Sequence, residues 1–108
     1  MTVRAGELWV ADIPFTNGAA SKKRPVLVLW VDGADVIVAA VTSATPRSPT
    51  DVPLQDWAAS GLRLASTVRL ARLDCLEQSL LLHYLGRLTA ADAALLKSVW
   101  NQVVKPQF

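Results

Sequence analysis

The stretch from Lys22 to Thr42, KKRPVLVLWVDGADVIVAAVT, constrains this chain more than any other. Val26–Val31 and Val36–Val41 are aliphatic and rich in β-branched side chains, and the Asp32-Gly33 pair between them is a strong short-range hairpin signal. With a tight turn on Asp32-Gly33 or one residue later, paired residue numbers sum to about 65 to 67, so Arg24 lies opposite roughly position 41 to 43. A guanidinium then meets the Thr42 and Ser43 hydroxyls at one end of the hairpin. Pro25 has no N–H to give to a ladder, which suits the first residue of a strand and leaves Lys22, Lys23 and Arg24 as a loop end facing solvent.

The flanking segments read around this hairpin. Gly6–Ile13 alternates apolar with small or polar residues and is the first strand, closed by Pro14. Pro14–Ala20 is a polar loop longer than a hairpin needs and is placed to fold over the Arg24 end. Thr42–Pro53 holds three prolines among Ser and Thr and reads as a second loop starting at the same place. Leu54–Ala59 suits one helical turn with Trp57 inward, stopped by Gly61. Ser66–Leu70 and Leu73–Leu76 are strand candidates, either one bent strand or a hairpin, and Leu80–Leu88, whose apolar run LLLHYL fits neither the strand nor the helix period cleanly, is read as a strand ending at Gly86 in preference to a helix. Thr89-Ala90-Ala91-Asp92 has the layout of a capping box, followed by a helix to about Val104 in which Leu95, Leu96, Val99, Trp100 and Val103 form an apolar face. Pro106 prevents continuation.

Five or six short strands and one terminal helix in 108 residues imply a single domain, residues 1–108, that is mainly β with a C-terminal helix. A small closed or nearly closed barrel leaves the fewest exposed strand edges. A hydrophobic fraction of 52% excludes a disordered chain. Arg, Asp or Lys interrupts every apolar run before membrane-spanning length, and no signal-peptide core is present, so the reading is a cytoplasmic protein without a membrane span. Cys75, the one cysteine, has no partner for a disulfide or a metal site and reads as a small buried hydrophobe. His83, the one histidine, reads as a partly buried packing residue, and the four tryptophans at 9, 30, 57 and 100 as core.

Eleven Lys and Arg against nine Asp and Glu give a net charge of only +2, too small by itself to announce a nucleic-acid binder. The distribution says more: Lys22, Lys23 and Arg24 are contiguous, and Arg47 sits in the loop after Thr42. No metal-ligand spacing, phosphate-binding glycine loop or nucleophile motif occurs, so neither a metal nor a cofactor is expected. What converges at the hairpin end is a guanidinium, hydroxyls and two polar loops, which suits an anionic ligand. Arg24 has the geometry to grip a phosphate, and Thr42 to donate to the same oxygens. RNA carries its own nucleophile, the 2′-hydroxyl, and such a site would cleave it without metal. An Arg24 that merely caps a strand, paired to a carboxylate, explains the same residue.

GELWVADIPF, then KKRPVLVL after a polar loop, then VIVAAVTS, DVPLQDW, STVRLARLDCLEQSLL and LGRLT follow one another in an order and spacing that resemble the PemK/MazF family of toxin ribonucleases. The resemblance covers nearly the whole chain. It implies an SH3-like, plasmid-maintenance-toxin barrel, a homodimer, and an mRNA interferase that cuts single-stranded RNA to a cyclic phosphate and a 5′-hydroxyl. It also implies a cognate antitoxin, usually small and acidic, whose flexible tail fills the RNA site.

Carried over by residue, the resemblance makes Arg24 the catalytic arginine and Thr42 the catalytic hydroxyl. Arg69 stands where some members have an RNA-contacting or acid-acting arginine, and Lys22, Lys23, Ser43 and Arg47 are the remaining RNA-binding candidates. Two departures are visible. Many members carry a Glu in the loop before the RP motif, whereas NGAASKK has no carboxylate, and some have an Asp two residues after the strand arginine, where this chain has Ala71. The general base is thus open among Glu7, Asp12, a neighbouring subunit's group and water. A gyrase-directed toxin acting through Trp100–Phe108, and a non-catalytic barrel that binds RNA or protein, are the alternative functions.

Overall fold

The computed structural model describes residues 2–14 and 21–108. The elements are β1 (Glu7–Pro14), β2 (Ser21–Asp32), β3 (Asp35–Thr42), β4 (Asp51–Pro53), β5 (Thr67–Glu77), a 3₁₀ turn (Gln78–Leu80), β6 (Leu81–Arg87) and α1 (Ala90–Val103). The polar loop expected after Pro14 lies, from Phe15 to Ala20, outside the described residues.

The strands form one antiparallel sheet in the order β4-β5-β3-β2-β1-β6. The central hairpin turns on Gly33-Ala34, one residue past the Asp-Gly pair, with Asp32 paired to Asp35. Gly33 has φ of 60° and Ala34 does not share the positive φ, the type II′ pattern that matches strand twist. A bulge at Leu29 changes the register between Val28↔Val38 and Trp30↔Ile37. The central strands read as continuous apolar runs because both their faces are covered. Trp9, Ala11, Val26, Val28, Val36, Val38 and Leu76 make one core. Leu8, Leu27, Ala39, Val41, Val68 and Leu70 make the other, closed by Leu96 of α1.

Several expectations change. Lys22, Lys23 and Arg24 are strand residues, not a loop end, because β1 pairs with them: Ile13↔Lys22, Asp12↔Lys23 and Ala11↔Arg24. Pro25 is therefore interior to β2, opposite Val10. The segment before Pro53 is irregular only to Thr50, since Asp51–Pro53 forms β4 against β5. The two strand candidates after Ser66 are one bent strand, β5, with the bend where Ala39 pairs Leu73 and Ala40 pairs Arg69. Cys75 is exposed rather than buried, because β4 covers only Thr67–Arg69 and leaves the far half of β5 on a sheet edge. His83 is exposed on the end strand β6. Of the tryptophans, Trp9 is core, whereas Trp30 is 44% exposed and stacks edge-on against Trp100 at 6.3 Å.

Of the expected closed or nearly closed barrel, full closure is not seen: among the described residues β4 and β6 end the sheet without pairing with each other. The physical reason is the segment between β4 and β5. Residues 56–62 form one helical turn closed by a Schellman arrangement, with Gly61 N–H to the Ala58 carbonyl and Leu62 N–H to the Trp57 carbonyl, both 3.1 Å. Gly61, at φ of 90°, takes the left-handed position as expected. The backbone at Ser60-Gly61 packs directly on Leu85-Gly86 of β6.

Helix α1 begins as expected, with Thr89 Oγ1 accepting from Asp92 N at 3.3 Å. The Asp92 carboxylate does not complete a capping box. Fully buried, it reaches out of the helix to accept Gln55 N at 3.0 Å and Asp56 N at 2.9 Å, while Thr89 Oγ1 donates to Asp56 Oδ2 at 2.8 Å. The helix and the turn are thereby pinned to each other.

Candidate nucleic-acid interface

Register and alternation decide which candidate side chains share a face. In β2, Val26 and Val28 belong to the first core, so Arg24 and Lys22 lie on that face, with Ala11 and Ile13 as their cross-strand partners. In β3, Ala40 pairs Val26 and Thr42 follows two residues on, at the same face and the same end. Thr42 in turn pairs Thr67, and Thr67 pairs Pro53. One row across the sheet thus runs Pro53, Thr67, Thr42, Arg24, Ala11, the Thr42 to Arg24 step extending the register one pair past Val26↔Ala40, where the β2–β3 ladder ends. The adjacent row holds Asp51, Arg69, Ala40 and Val26.

The predicted hairpin register therefore holds as far as Val26↔Ala40, and Arg24, Thr42, Arg69 and Lys22 share one face at one end of the sheet. Lys23 alternates to the opposite face, across from Asp12. Ser43 and Arg47 are exposed in the loop leaving β3. Thr67 and Asp51 were missed by sequence reasoning. Their signal was the pairing of DVP with STVR, which requires recognising a strand of three residues beside three prolines.

Thr42 Oγ1 accepts the Ala44 N–H at 3.1 Å, which fixes the hydroxyl and leaves its own proton to donate outward. Arg24 is exposed. The one salt bridge among the described residues joins Arg69 Nε to Asp51 Oδ1 at 3.4 Å, so no carboxylate there neutralises Arg24 as a structural cap would require. Glu7 is not available as a base at this end: its Oε1 accepts Arg4 N at 2.9 Å and Trp9 Nε1 at 3.1 Å. It also lies four residues along β1 from Ala11, about 13 Å at strand rise. Asp12, next to Ala11, points to the other face. Among the described residues no cluster of His, Cys, Asp and Glu suits a metal ion. A groove of about 450 Å³ lies elsewhere, between β2 and α1, walled by Leu29, Trp30, Leu96 and Trp100, and includes none of Arg24, Thr42 or Arg69.

Residues 4–104 match the family model of the PemK-like, MazF-like toxins of type II toxin-antitoxin systems. The chain belongs to this family. No relative among curated protein sequences matches it. Among solved structures, this toxin is similar to an endoribonuclease in complex with its cognate antitoxin from a mycobacterial species, at 18% identity and a TM-score of 0.76 over 99% of this chain and 100% of that one. It is also similar to the toxin MazF-mt6 of Mycobacterium tuberculosis, at 24% identity and a TM-score of 0.66 over 86% and 93%. The MazE-MazF complex of Deinococcus radiodurans gives 20% identity and a TM-score of 0.72 over 95% and 93%. At these identities the likeness carries the fold. In the toxin described here, no helix among the described residues is long and apolar enough to cross a membrane.

Proposed function

We propose that this toxin is an endoribonuclease that cuts single-stranded mRNA without a metal. The observation that carries the reading is the row of Thr67, Thr42 and Arg24 at one end and one face of the sheet, flanked by Arg69. Family membership and the endoribonuclease among its structural neighbours support it.

In this reading the 2′-oxygen attacks the adjacent phosphorus, its proton passing to water or to a group of the neighbouring subunit, since Glu7 and Asp12 face elsewhere. The bond from phosphorus to the 5′-oxygen breaks, and that oxygen takes a proton from water, leaving a 2′,3′-cyclic phosphate and a 5′-hydroxyl. Arg24 neutralises the charge that grows on the non-bridging oxygens, where a positioned donor is worth about 100-fold or more in rate. Thr42 and Arg69 donate to the same oxygens, while Lys22, Arg47 and Ser43 hold the flanking phosphates. Lys23 contributes to the local potential from the far face. The toxin acts in the cytoplasm as a homodimer with a cognate antitoxin as its partner, a pairing supported by the neighbours solved with an antitoxin; in this reading the antitoxin covers the cationic end.

The test is incubation of wild type and Arg24→Ala with long single-stranded RNA in excess chelator, with mapping of new ends. Cleavage by wild type alone, with 5′-hydroxyl ends, is expected. Equal cleavage by the variant would remove Arg24 from the mechanism. The exposed Phe108 leaves a gyrase-directed reading in play. Deleting Gln107 and Phe108 separates the two, since RNA cleavage survives that deletion only if the ribonuclease reading holds.

A further inference from the structure

Asp51 is one of few buried polar residues, its side chain only 3% accessible, yet it stands beside an otherwise cationic end of the sheet. Burying a carboxylate is costly unless both oxygens find partners. Both do. Oδ1 takes Arg69 Nε at 3.4 Å, and Oδ2 accepts the Arg47 backbone N–H at 3.0 Å. Asp51 N also donates to the Ser48 carbonyl at 3.0 Å, so the chain from Arg47 to Asp51 is tied into one closed turn.

These contacts have a direction. Using Nε for the carboxylate leaves the four terminal N–H donors of Arg69 without a hydrogen-bond partner among the described residues, and tethers the guanidinium by its Nε edge. Asp51 pairs Arg69 across β4 and β5, and Arg69 pairs Ala40, two residues before Thr42 on the same face. The carboxylate thus sets the orientation of one arginine by its side chain and the place of a second by its main chain.

We propose that Asp51 is a positioning residue that aims Arg69 at the RNA phosphate seated on the Thr42–Arg24 row and places Arg47 beside it; this rests on the ribonuclease reading above. The sign of its effect distinguishes it from ordinary surface charge. Removing a negative charge beside a polyanion strengthens RNA attraction by electrostatics alone, whereas losing the aim of Arg69 slows cleavage.

The experiment measures kcat and KM of the full chain on a single-stranded oligonucleotide spanning a mapped cleavage site, for wild type, Asp51→Asn, Arg69→Ala and the double variant. Asp51→Asn is expected to lower kcat by about tenfold or more with KM unchanged or lower, because a misplaced group costs rate rather than ground-state attraction. In the Arg69→Ala background the same change is expected to cost less than about twofold, the mark of a residue acting through another. Wild-type kinetics for Asp51→Asn, a rise in KM alone, or the same loss in the Arg69→Ala background would each overturn the proposal. Circular dichroism checks folding; if Asp51→Asn is unfolded, Asp51→Glu, which keeps the charge but displaces it, carries the same expectation of a kcat loss suppressed by Arg69→Ala. Absence of cleavage by wild type removes the ribonuclease reading and this one together, while active wild type with an unaffected Asp51→Asn removes this one alone.

Discussion

Gly61 and Gly86 meet backbone to backbone: a Cβ on Gly61 would overlap the Leu85 carbonyl, and one on Gly86 would overlap the Ser60 carbonyl. Neither obstacle is the end of a flexible side chain, so an added methyl has nowhere to go. Gly86 has no positive φ, which makes Gly86→Ala a purely steric test. We expect a loss of about 2–3 kcal/mol in urea unfolding, in the range of core overpacking. A change below about 0.5 kcal/mol would mean that the turn is not seated on β6.

Asp92 is the second fastening of that turn. Asp92→Ala strands the N–H groups of Gln55 and Asp56 and removes a charge-assisted pair of bonds, for an expected loss of about 3 kcal/mol. Thr89→Ala, which removes the helix cap and the bond to Asp56, is expected to lose about 1 kcal/mol. Because both act through Asp56, the double variant is expected to lose less than the sum. Thermal unfolding of the four proteins checks this.

Thr42 separates a hydroxyl from its shape. Thr42→Val keeps the volume and deletes the donor, and we expect cleavage of RNA to fall about tenfold or more with the fold intact. Thr42→Ser is expected to keep most of the rate. Equal rates for Val and Thr would remove the hydroxyl from the mechanism.

Cys75 is expected to react with an aromatic disulfide reagent in the native protein, one thiol per chain, without denaturant. Reaction only after unfolding would show that the far half of β5 is covered in solution. Either result reports on the sheet edge that β4 leaves open.

What was legible in the sequence was local. The hairpin on Gly33, the Thr89 cap and the Gly61 stop each depend on residues within a few positions of one another, and each formed as its chemistry required. What was not legible was decided by neighbours remote in the chain. Lys22–Arg24 became strand because β1 lies alongside, and Cys75 became exposed because β4 is only three residues long. Asp92 looked like a capping residue and is one only in part, since its carboxylate serves a turn 36 and 37 residues away. The candidate site was half legible: turn arithmetic brought Arg24 to Thr42, but Thr67 and Asp51 enter through β4 and β5, whose pairing leaves no periodic signal in so short a strand.

The reach of Asp92 also orders events on the ribosome. Strands β1 to β5, which carry Arg24, Thr42 and Arg69, are synthesised before the helix that holds the 55–61 turn in place. A nascent chain still lacking α1 has the strands of the site but neither Asp92 on the turn nor Leu96 on the second core. Completion of the fold waits for α1, so a product truncated before that helix carries the site residues on an unfinished scaffold.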